Sequence, residues 1–532
     1  MTAQGDRIYL YDTTLRDGAQ THGVDFSVTD KAAIARQLDG LGIDYIEGGW
    51  PGANPTDDAF FADPPKLAHA TFTAFGMTRR PGRSAANDPG LQALLTTGAR
   101  AVCLVGKAWD FHVEVALGIT REENLAMIGD SFAHLRERVG ESLFDAEHFF
   151  DGYKANPDYA LACLKAASDD GARWIVLCDT NGGTLPHEVE RIVREVGGHI
   201  PGERLGIHCH NDTENAVANS LAAVRAGVRQ VQGSLNGLGE RCGNANLVSI
   251  VPTLVLKMGF ETGVSAENLR LLTHTSRRLD ELLNRGPSRH APYVGNAAFT
   301  HKGGLHAAAI GKDPRTYEHI DPELVGNRRQ IVISDQSGRA NILARLKEIG
   351  LEVPPDHPKV PTLLEAVKTG EHEGYTYDGA DASFDLLARR ALGEVPEYFK
   401  VDSFRVTVER RHNALGKLIT LSEATVKVTV NGQKLMSVAE GNGPVDALNH
   451  ALRKDLGMYS SYLHDWRLVD YRVRILTPQE STGAVTRVVI DSSDDSGETW
   501  STVGVSANII DASFQALLDS ITYKLLRERA PA

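Results

Sequence analysis

Residues 204–220, RLGIHCHNDTENAVANS, set His208 and His210 on either side of Cys209, where an apolar run gives way to a polar one. Along a strand, side chains two apart share a face, so the two imidazoles point one way and Cys209 the other. Two neutral imidazoles on one face supply half of a tetrahedral or octahedral site for a divalent cation. The pair alone reads more readily as two histidines bonded separately, so oxygen ligands at the same level of the fold are needed. YDTTLRDGAQ offers Asp12, Arg16, Asp17 and Gln20, and SLNGLGERCGNANL offers Glu240 and Asn244. A carboxylate, two imidazoles and an amide oxygen form a mixed set suited to Mg2+, Mn2+ or Zn2+, with positions left open for a chelating substrate.

Such residues meet only if their segments end at one rim. Short apolar or β-branched runs recur at 8–12, 43–49, 70–76, 100–106, 142–150, 173–179, 204–210 and 228–235. Helix-patterned stretches lie between them, among them NPDYALACLKAASDDG, ENAVANSLAAVRAG, and SVTDKAAIARQLDGLG, which opens on a Ser or Thr cap and closes on Gly. Eight alternations in about 260 residues match an α/β fold of the (β/α)8 TIM-barrel kind better than an open doubly wound sheet. Barrel enzymes keep their sites at the C-terminal strand ends, which is where the first, seventh and eighth runs carry the residues above.

After residue 260 the alternation stops. AENLRLLTHTSRRLDELLNRG has a helical pattern, and a polar stretch and the Pro-rich 351–362 follow; 266–395 is expected to be a helical connecting subdomain after a barrel at 1–265. From 396 to 532 the pattern is strand-rich and repeated. SVAEGNGPVDALNHAL from Ser437 and TVGVSANIIDASFQAL from Thr502 align at an offset of 65, keeping Val438/Val503, Asp446/Asp511, Ala447/Ala512, Ala451/Ala516 and Leu452/Leu517. Two such copies are expected to pack as a duplicated α+β domain around a shared sheet. Its expected role is dimerisation, or the sensing of a carboxylate ligand at the helix N-termini near 441–443.

A chain of 532 residues exceeds one core, and 42% hydrophobic with 23% charged residues is ordinary for globular domains. The net charge of −13, without a Lys/Arg cluster, argues against nucleic acid or anionic lipid as partner. Five scattered cysteines without a CxxC pair, together with an N-terminus lacking a basic start and apolar core, place the expected location in the reducing cytoplasm. No apolar run approaches the roughly 20 residues that cross a bilayer.

YDTTLRDGAQ, LCDTNGGTLP, IHCHND, GLGERCGNANL and GLHAAAI, in that order, resemble the metal-dependent acyl-CoA condensing barrels that include the 2-isopropylmalate, homocitrate and citramalate synthases. The likeness spans nearly the whole chain, because the duplicated region is similar to the regulatory domain of the isopropylmalate and citramalate members. IEGGWPGANPTDDAFF and GKAWDFHVEVALGIT look more like the citramalate branch. The resemblance implies Asp17, His208, His210 and Asn244 as metal ligands and Arg16 as the cation beside the keto oxygen. It implies Glu147 and His306 as the pair working on acetyl-CoA, with His306 kept neutral as general base by a carboxylate neighbour. Tyr317 is then brought over the site, and Thr180 and Gln20 contact the substrate. FTHKGGLH also offers His301, and the motif match prefers His306. Asp12 is assigned to structure.

The implied reaction condenses acetyl-CoA with pyruvate and water to citramalate and CoA, feeding isoleucine synthesis, in a homodimer with an amino acid such as isoleucine as effector. The competing readings are 2-isopropylmalate synthase acting on 2-oxoisovalerate, a hydroxyacyl-CoA lyase or aldolase on the same barrel, and a non-catalytic amino-acid sensor. Trp50, Met77, Leu104 and Phe144 are the bulky candidates for closing a pocket down to pyruvate.

Overall fold

The eight runs form eight parallel strands: β1 Tyr9–Asp12, β2 Tyr45–Gly49, β3 Thr71–Met77, β4 Ala101–Lys107, β5 Glu141–Glu147, β6 Trp174–Asp179, β7 Leu205–Cys209 and β8 Gln230–Gly233. They close into a barrel in chain order, β1 pairing with both β2 and β8. This computed structural model describes residues 6–332, 338–377, 379–412 and 414–532. The chain forms two compact units, Met1–Phe299 with Ile320–Arg328 and Thr300–His319 with Arg329–Ala532.

The expected helices are present with the caps their sequences provide. Ser27 and Asp30 exchange bonds in a capping box ahead of helix Val28–Leu41, which ends on Gly42 at φ 104°. One run differs. The expected strand 142–150 stops at Glu147, because His148 adopts φ 57° and turns the chain into helix Phe149–Ala155. That turn leaves Glu147 at the rim.

Strand alternation divides the barrel's side chains into two cores. Tyr11, Tyr45, Phe75, Cys103, Trp174 and Val176 fill the interior. Leu10, Ile46, Leu104, Phe144, Leu177 and Ile207 belong to the cluster that includes the surrounding helices. Helix Leu272–Leu282 joins this outer core through Leu272 and Leu279.

In the second unit, β9 Thr300–His301 pairs in parallel with β10 Gln330–Ile331. The Pro-rich segment runs irregularly to residue 358, and helix Lys359–Glu373 begins with Pro361 in its first turn, where the missing N–H has no intrahelical acceptor. β11 Lys400–His412, β12 Leu418–Val430 and β13 Gln433–Gly441 form an antiparallel sheet, as do β14 Arg467–Ile475, β15 Thr486–Ser493 and β16 Thr499–Ser506. Asn431 and Gly432, at φ 48° and 74°, make the hairpin turn between β12 and β13.

Each sheet is followed by a helix, Pro444–Asp455 or Ile509–Arg527. The repeat is thus observed, but the shared sheet is not: the copies keep separate three-stranded sheets and share one hydrophobic cluster. The reason lies in the repeated residues, since Ala447, Ala451, Leu452, Ala512, Ala516 and Leu517 are all helix positions with 0–1% exposure. Among the described residues, no helix is long and apolar enough to cross a membrane.

The loop after β8 depends on Gly243, at φ 90°, where an added Cβ would run into the Gly237 carbonyl. Gly243→Ala is therefore expected to lower stability by more than about 1 kcal/mol. Gly82→Ala, at φ 70° in open space, should cost less. Urea unfolding of the two variants makes the comparison, and equal losses would show that the close approach does not constrain the loop.

Candidate metal centre and reaction cavity

His208 near the end of β7 and His210 just beyond it bring their Nε2 atoms within 3.4 Å of each other. Asp17 Oδ2, in the turn after β1, lies 3.4 Å from His208 Nε2. All three side chains are buried, and one ligand atom from each lies within 4.8 Å of the others; this is the group of its kind found among the described residues. Asn244 arrives from the loop after β8, bridged to His210 by backbone pairing. Its Nδ2 donates to Asp17 Oδ2 at 2.9 Å, while its Oδ1 is buried without a hydrogen-bond partner, as is His210 Nδ1.

Orphaned buried polar atoms are rare in folded proteins and call for an explanation. A half-turn of the Asn244 amide exchanges nitrogen for oxygen. The set then offers one carboxylate, two imidazoles and an amide oxygen, which fits a divalent cation.

Electrostatics prepare the set. Burial pushes the Asp17 carboxyl up, but the Arg16 charge and the His208 bond outweigh it and hold the group well below the usual carboxylate range. Burial works against charge on His208 too, and Asp17 overcomes it, so its pKa lies above the ordinary value. Burial and the neighbouring His208 bring His210 down to about 4, leaving it neutral with a lone pair to offer. His208 is oriented from behind. Gln232 Nε2 donates to Asp145 Oδ1 at 3.0 Å, which turns Gln232 Oε1 toward His208 Nδ1 at 2.9 Å. Nδ1 thus carries the proton and Nε2 faces Asp17.

Arg16 is held by a carboxylate and a ring, and the carboxylate is itself anchored. Its Nε donates to Glu47 Oε2 at 2.7 Å, Tyr11 OH donates to Glu47 Oε1 at 2.8 Å, and the guanidinium carbon sits 3.8 Å from the centroid of the Phe75 ring. Burial opposes its charge, and Glu47 and Asp17 more than compensate, so Arg16 stays protonated. A cavity of about 280 Å³ opens above these residues. Gln20, Trp50, Met77, Glu147, Thr180 and Glu240 also line it, with Glu147 ion-paired to Lys107. Thr180 Oγ1 accepts from the His148 amide at 2.8 Å, which fixes the hydroxyl.

Matches to known proteins cover this architecture. The HMGL-like model matches residues 7–275, a homocitrate synthase post-HMGL domain-like model 293–373, and a LeuA allosteric (dimerisation) domain model 378–525. The chain belongs to the HMGL-like family. It is 50% identical to an (R)-citramalate synthase of Aquifex aeolicus over 98% of each chain. It is 52% identical to one of Geobacter sulfurreducens over 97% of each. A third, from Synechocystis, is 48% identical over 99% of this chain and 97% of its own.

In this HMGL-like barrel the expected ligands Asp17, His208, His210 and Asn244 come together, and Arg16, Gln20, Glu147 and Thr180 line one cavity with the first three. His306 and Tyr317 belong to the second unit, where their rings stack at 3.9 Å. The carboxylate neighbour expected for His306 belongs instead to His301, whose Nε2 lies 3.2 Å from Glu318 Oε1. Asp12 is structural as expected: fully buried, it accepts from the Thr14 amide and hydroxyl at 2.9 and 2.7 Å. Burial raises its pKa to about 7 despite those bonds.

Leu104 and Phe144 do not wall the cavity, because their strand parity turns them into the outer core, where Phe144 packs edge-on against Phe132. Phe75 and Val105 occupy the inward positions instead. Glu47, Lys107, Asp145 and Gln232 escaped the sequence reading. For Glu47, Asp145 and Gln232 the signal was a polar residue inside an otherwise apolar run, as in YIEGG and VRQVQGSL; Lys107 stands at the end of its strand.

Asp17→Asn is expected to weaken Mn2+ binding, measured by calorimetry, by more than the roughly 10–100-fold that loss of an orienting partner costs. Gln232→Ala should fall within that narrower range. Undiminished affinity in Asp17→Asn would remove Asp17 from the ligand set.

Proposed function

We propose that the protein condenses acetyl-CoA with pyruvate and water to (R)-citramalate and CoA, in isoleucine biosynthesis, as a cytoplasmic homodimer. The observation that carries this reading is the identity of 50% or more to (R)-citramalate synthases along 97–98% of the chain. The division into a barrel at 1–265, a connecting region at 266–395 and a regulatory and dimerisation domain at 396–532 is part of the proposal.

The reaction needs a proton taken from a weakly acidic methyl group and negative charge accepted on a ketone oxygen. Asp17, His208, His210 and Asn244 would hold a divalent cation, which would supply Lewis acidity to the keto acid. Arg16 holds a fixed positive charge beside the keto oxygen, pre-oriented by Glu47 and Phe75, so that little reorganisation accompanies the developing charge. Thr180 contacts the substrate carboxylate, and Gln20 contacts the substrate. Glu147 is assigned to acetyl-CoA, and His306, exposed and stacked on Tyr317, is assigned as the general base, a role contributing about 10²–10⁴-fold.

Effector binding and dimer formation are assigned to the C-terminal domain. A cavity of about 650 Å³ lined by Asn442, Gly443, Asp446, Arg453 and Trp466, at the start of helix Pro444–Asp455, supports an amino-acid effector such as isoleucine. Exposed Val408, Leu418, Met436 and Val438 on β11–β13 support a homodimer. All five cysteines are free and four are buried, in keeping with a reducing cytoplasm.

Thiol release assayed over a panel of keto acids tests the function. Activity is expected with pyruvate, abolished by chelator and restored by Mg2+ or Mn2+. Faster turnover of 2-oxoisovalerate would move the assignment to isopropylmalate synthesis. Absence of CoA release with pyruvate would move it to a hydroxyacyl-CoA lyase or aldolase.

A further inference from the structure

Two cavities meet at the barrel mouth. Beside the reaction cavity lies a second of about 520 Å³, walled by Pro51, Ala53, Pro81, Pro89 and Met127 and by Arg79 and Arg80. The two share Trp50, Met77, Val105, Lys107 and Glu147. Their common wall is therefore apolar except for one ion pair.

Lys107 is the last residue of β4, on the inward parity of Cys103 and Val105, and it stands in register with Glu147 on β5. Its Nζ pairs with Glu147 Oε2, and its side chain is only 16% exposed. The backbone beneath is fixed: Asn124 Nδ2 donates to the Lys107 carbonyl at 2.9 Å and to Tyr159 OH at the same distance, and the Ala108 amide donates to the Glu147 carbonyl at 3.1 Å. A mostly buried ion pair of this kind gives little net stability, because desolvation offsets attraction. A rigidly mounted ammonium between two cavities is better explained by what it meets there.

The condensation develops negative charge twice, and in separate places. Arg16, locked to Glu47 and Phe75, serves the keto oxygen. The thioester oxygen gains its charge earlier, when the methyl proton leaves, and Lys107 is the cation of the shared wall. The geometry points to Lys107 as a catalytic residue for the second substrate. With the carrier arm of acetyl-CoA seated in the second cavity, the Lys107 ammonium donates a hydrogen bond to the thioester carbonyl oxygen at the junction.

As the methyl C–H bond breaks, the proton passes to the base and the electron pair moves onto the thioester oxygen. Lys107 keeps its own proton throughout. The pair then forms the bond to the keto carbon, and the keto oxygen receives the displaced electrons. Glu147 accepts one of the three N–H groups of the ammonium and aims the remainder. The apolar walls suit the pantetheine portion, and Arg80 offers charge for the carrier's phosphates. This assignment rests on the acetyl-CoA reading above, and wild-type turnover with pyruvate checks that reading separately.

The test uses the full-length enzyme with Mg2+ and the variants Lys107→Met and Lys107→Arg. It adds calorimetry with S-ethyl-CoA, a thioether that keeps the arm and lacks the carbonyl oxygen. Lys107→Met should lower kcat by about 10²–10³-fold while KM for pyruvate and affinity for S-ethyl-CoA stay within about twofold; Lys107→Arg should recover part of the loss. Retained S-ethyl-CoA binding shows at once that the variant is folded and that its defect lies at the carbonyl. Near-wild-type kcat in Lys107→Met would overturn the assignment. So would a defect expressed in the KM for pyruvate, or lost binding of S-ethyl-CoA.

Discussion

One oxygen atom, Asp17 Oδ2, gathers the amide of Asn244 at 2.9 Å, the imidazole of His208 at 3.4 Å and the guanidinium of Arg16 at 3.6 Å. An isolated carboxylate with so little exposure would take up a proton rather than stay charged. Its charge survives because Arg16, its neighbour in the chain, and His208 from β7 favour it, while Asn244 reaches it only when β1 lies against β8. Asp17 and Asn244 are 227 residues apart. The register that pairs Asp12 with Gly233 sets the turn after β1 beside the loop after β8. Barrel closure and the candidate metal centre are thus one event: a chain that failed to bring the last strand to the first would keep Asn244 beside the two histidines and lack the Asp17 carboxylate.

This explains which parts of the site were legible beforehand. His208, His210, Arg16, Asp17 and Asn244 lie in short motifs at the ends of apolar runs, so local spacing and a barrel topology are enough to bring them together. Glu47, Asp145 and Gln232 lie inside strands, and their roles depend on partners from other strands: Glu47 matters through Arg16 and Tyr11, and Gln232 through His208 and Asp145. A polar residue in a buried run signals that some partner exists, but only the closed barrel says which. The end of β5 was illegible for a different reason. HFF continues an apolar run, and the left-handed conformation of His148, which ends the strand, leaves no mark in hydrophobic pattern.

The C-terminal repeat shows how a correct pattern can carry an incorrect geometry. The duplication points to two halves around a shared sheet, yet each copy keeps its own three strands and buries its recurring alanines and leucines on its own helix. Small side chains at Ala447, Ala451, Ala512 and Ala516 let each helix lie close on its own three strands, so each copy completes its layer without borrowing a strand. What the copies share is the apolar cluster. Separate sheets keep separate edges, and exposed edges and faces must be managed by pairing, charge or cover.

Selectivity at the barrel mouth is tied to the same charge network. The Phe75 ring meets the Arg16 guanidinium at 3.8 Å and the Trp50 ring edge-on at 5.4 Å. Trp50 is in turn anchored through its backbone, whose amide donates to Asp57 Oδ2 at 2.8 Å, and Asp57 is ion-paired to the buried Lys31. Phe75 therefore both bounds the cavity and positions the Arg16 guanidinium. Enlarging the cavity at that ring would loosen Arg16, so size and charge cannot be varied independently there. Met77, 40% exposed at the end of β3, has no such second duty. Met77 and Val105 line the same cavity, and one methylene more or less in such a wall shifts discrimination between ligands by only about 1–3 kcal/mol, so side-chain volume there can change without disturbing the Arg16 contacts.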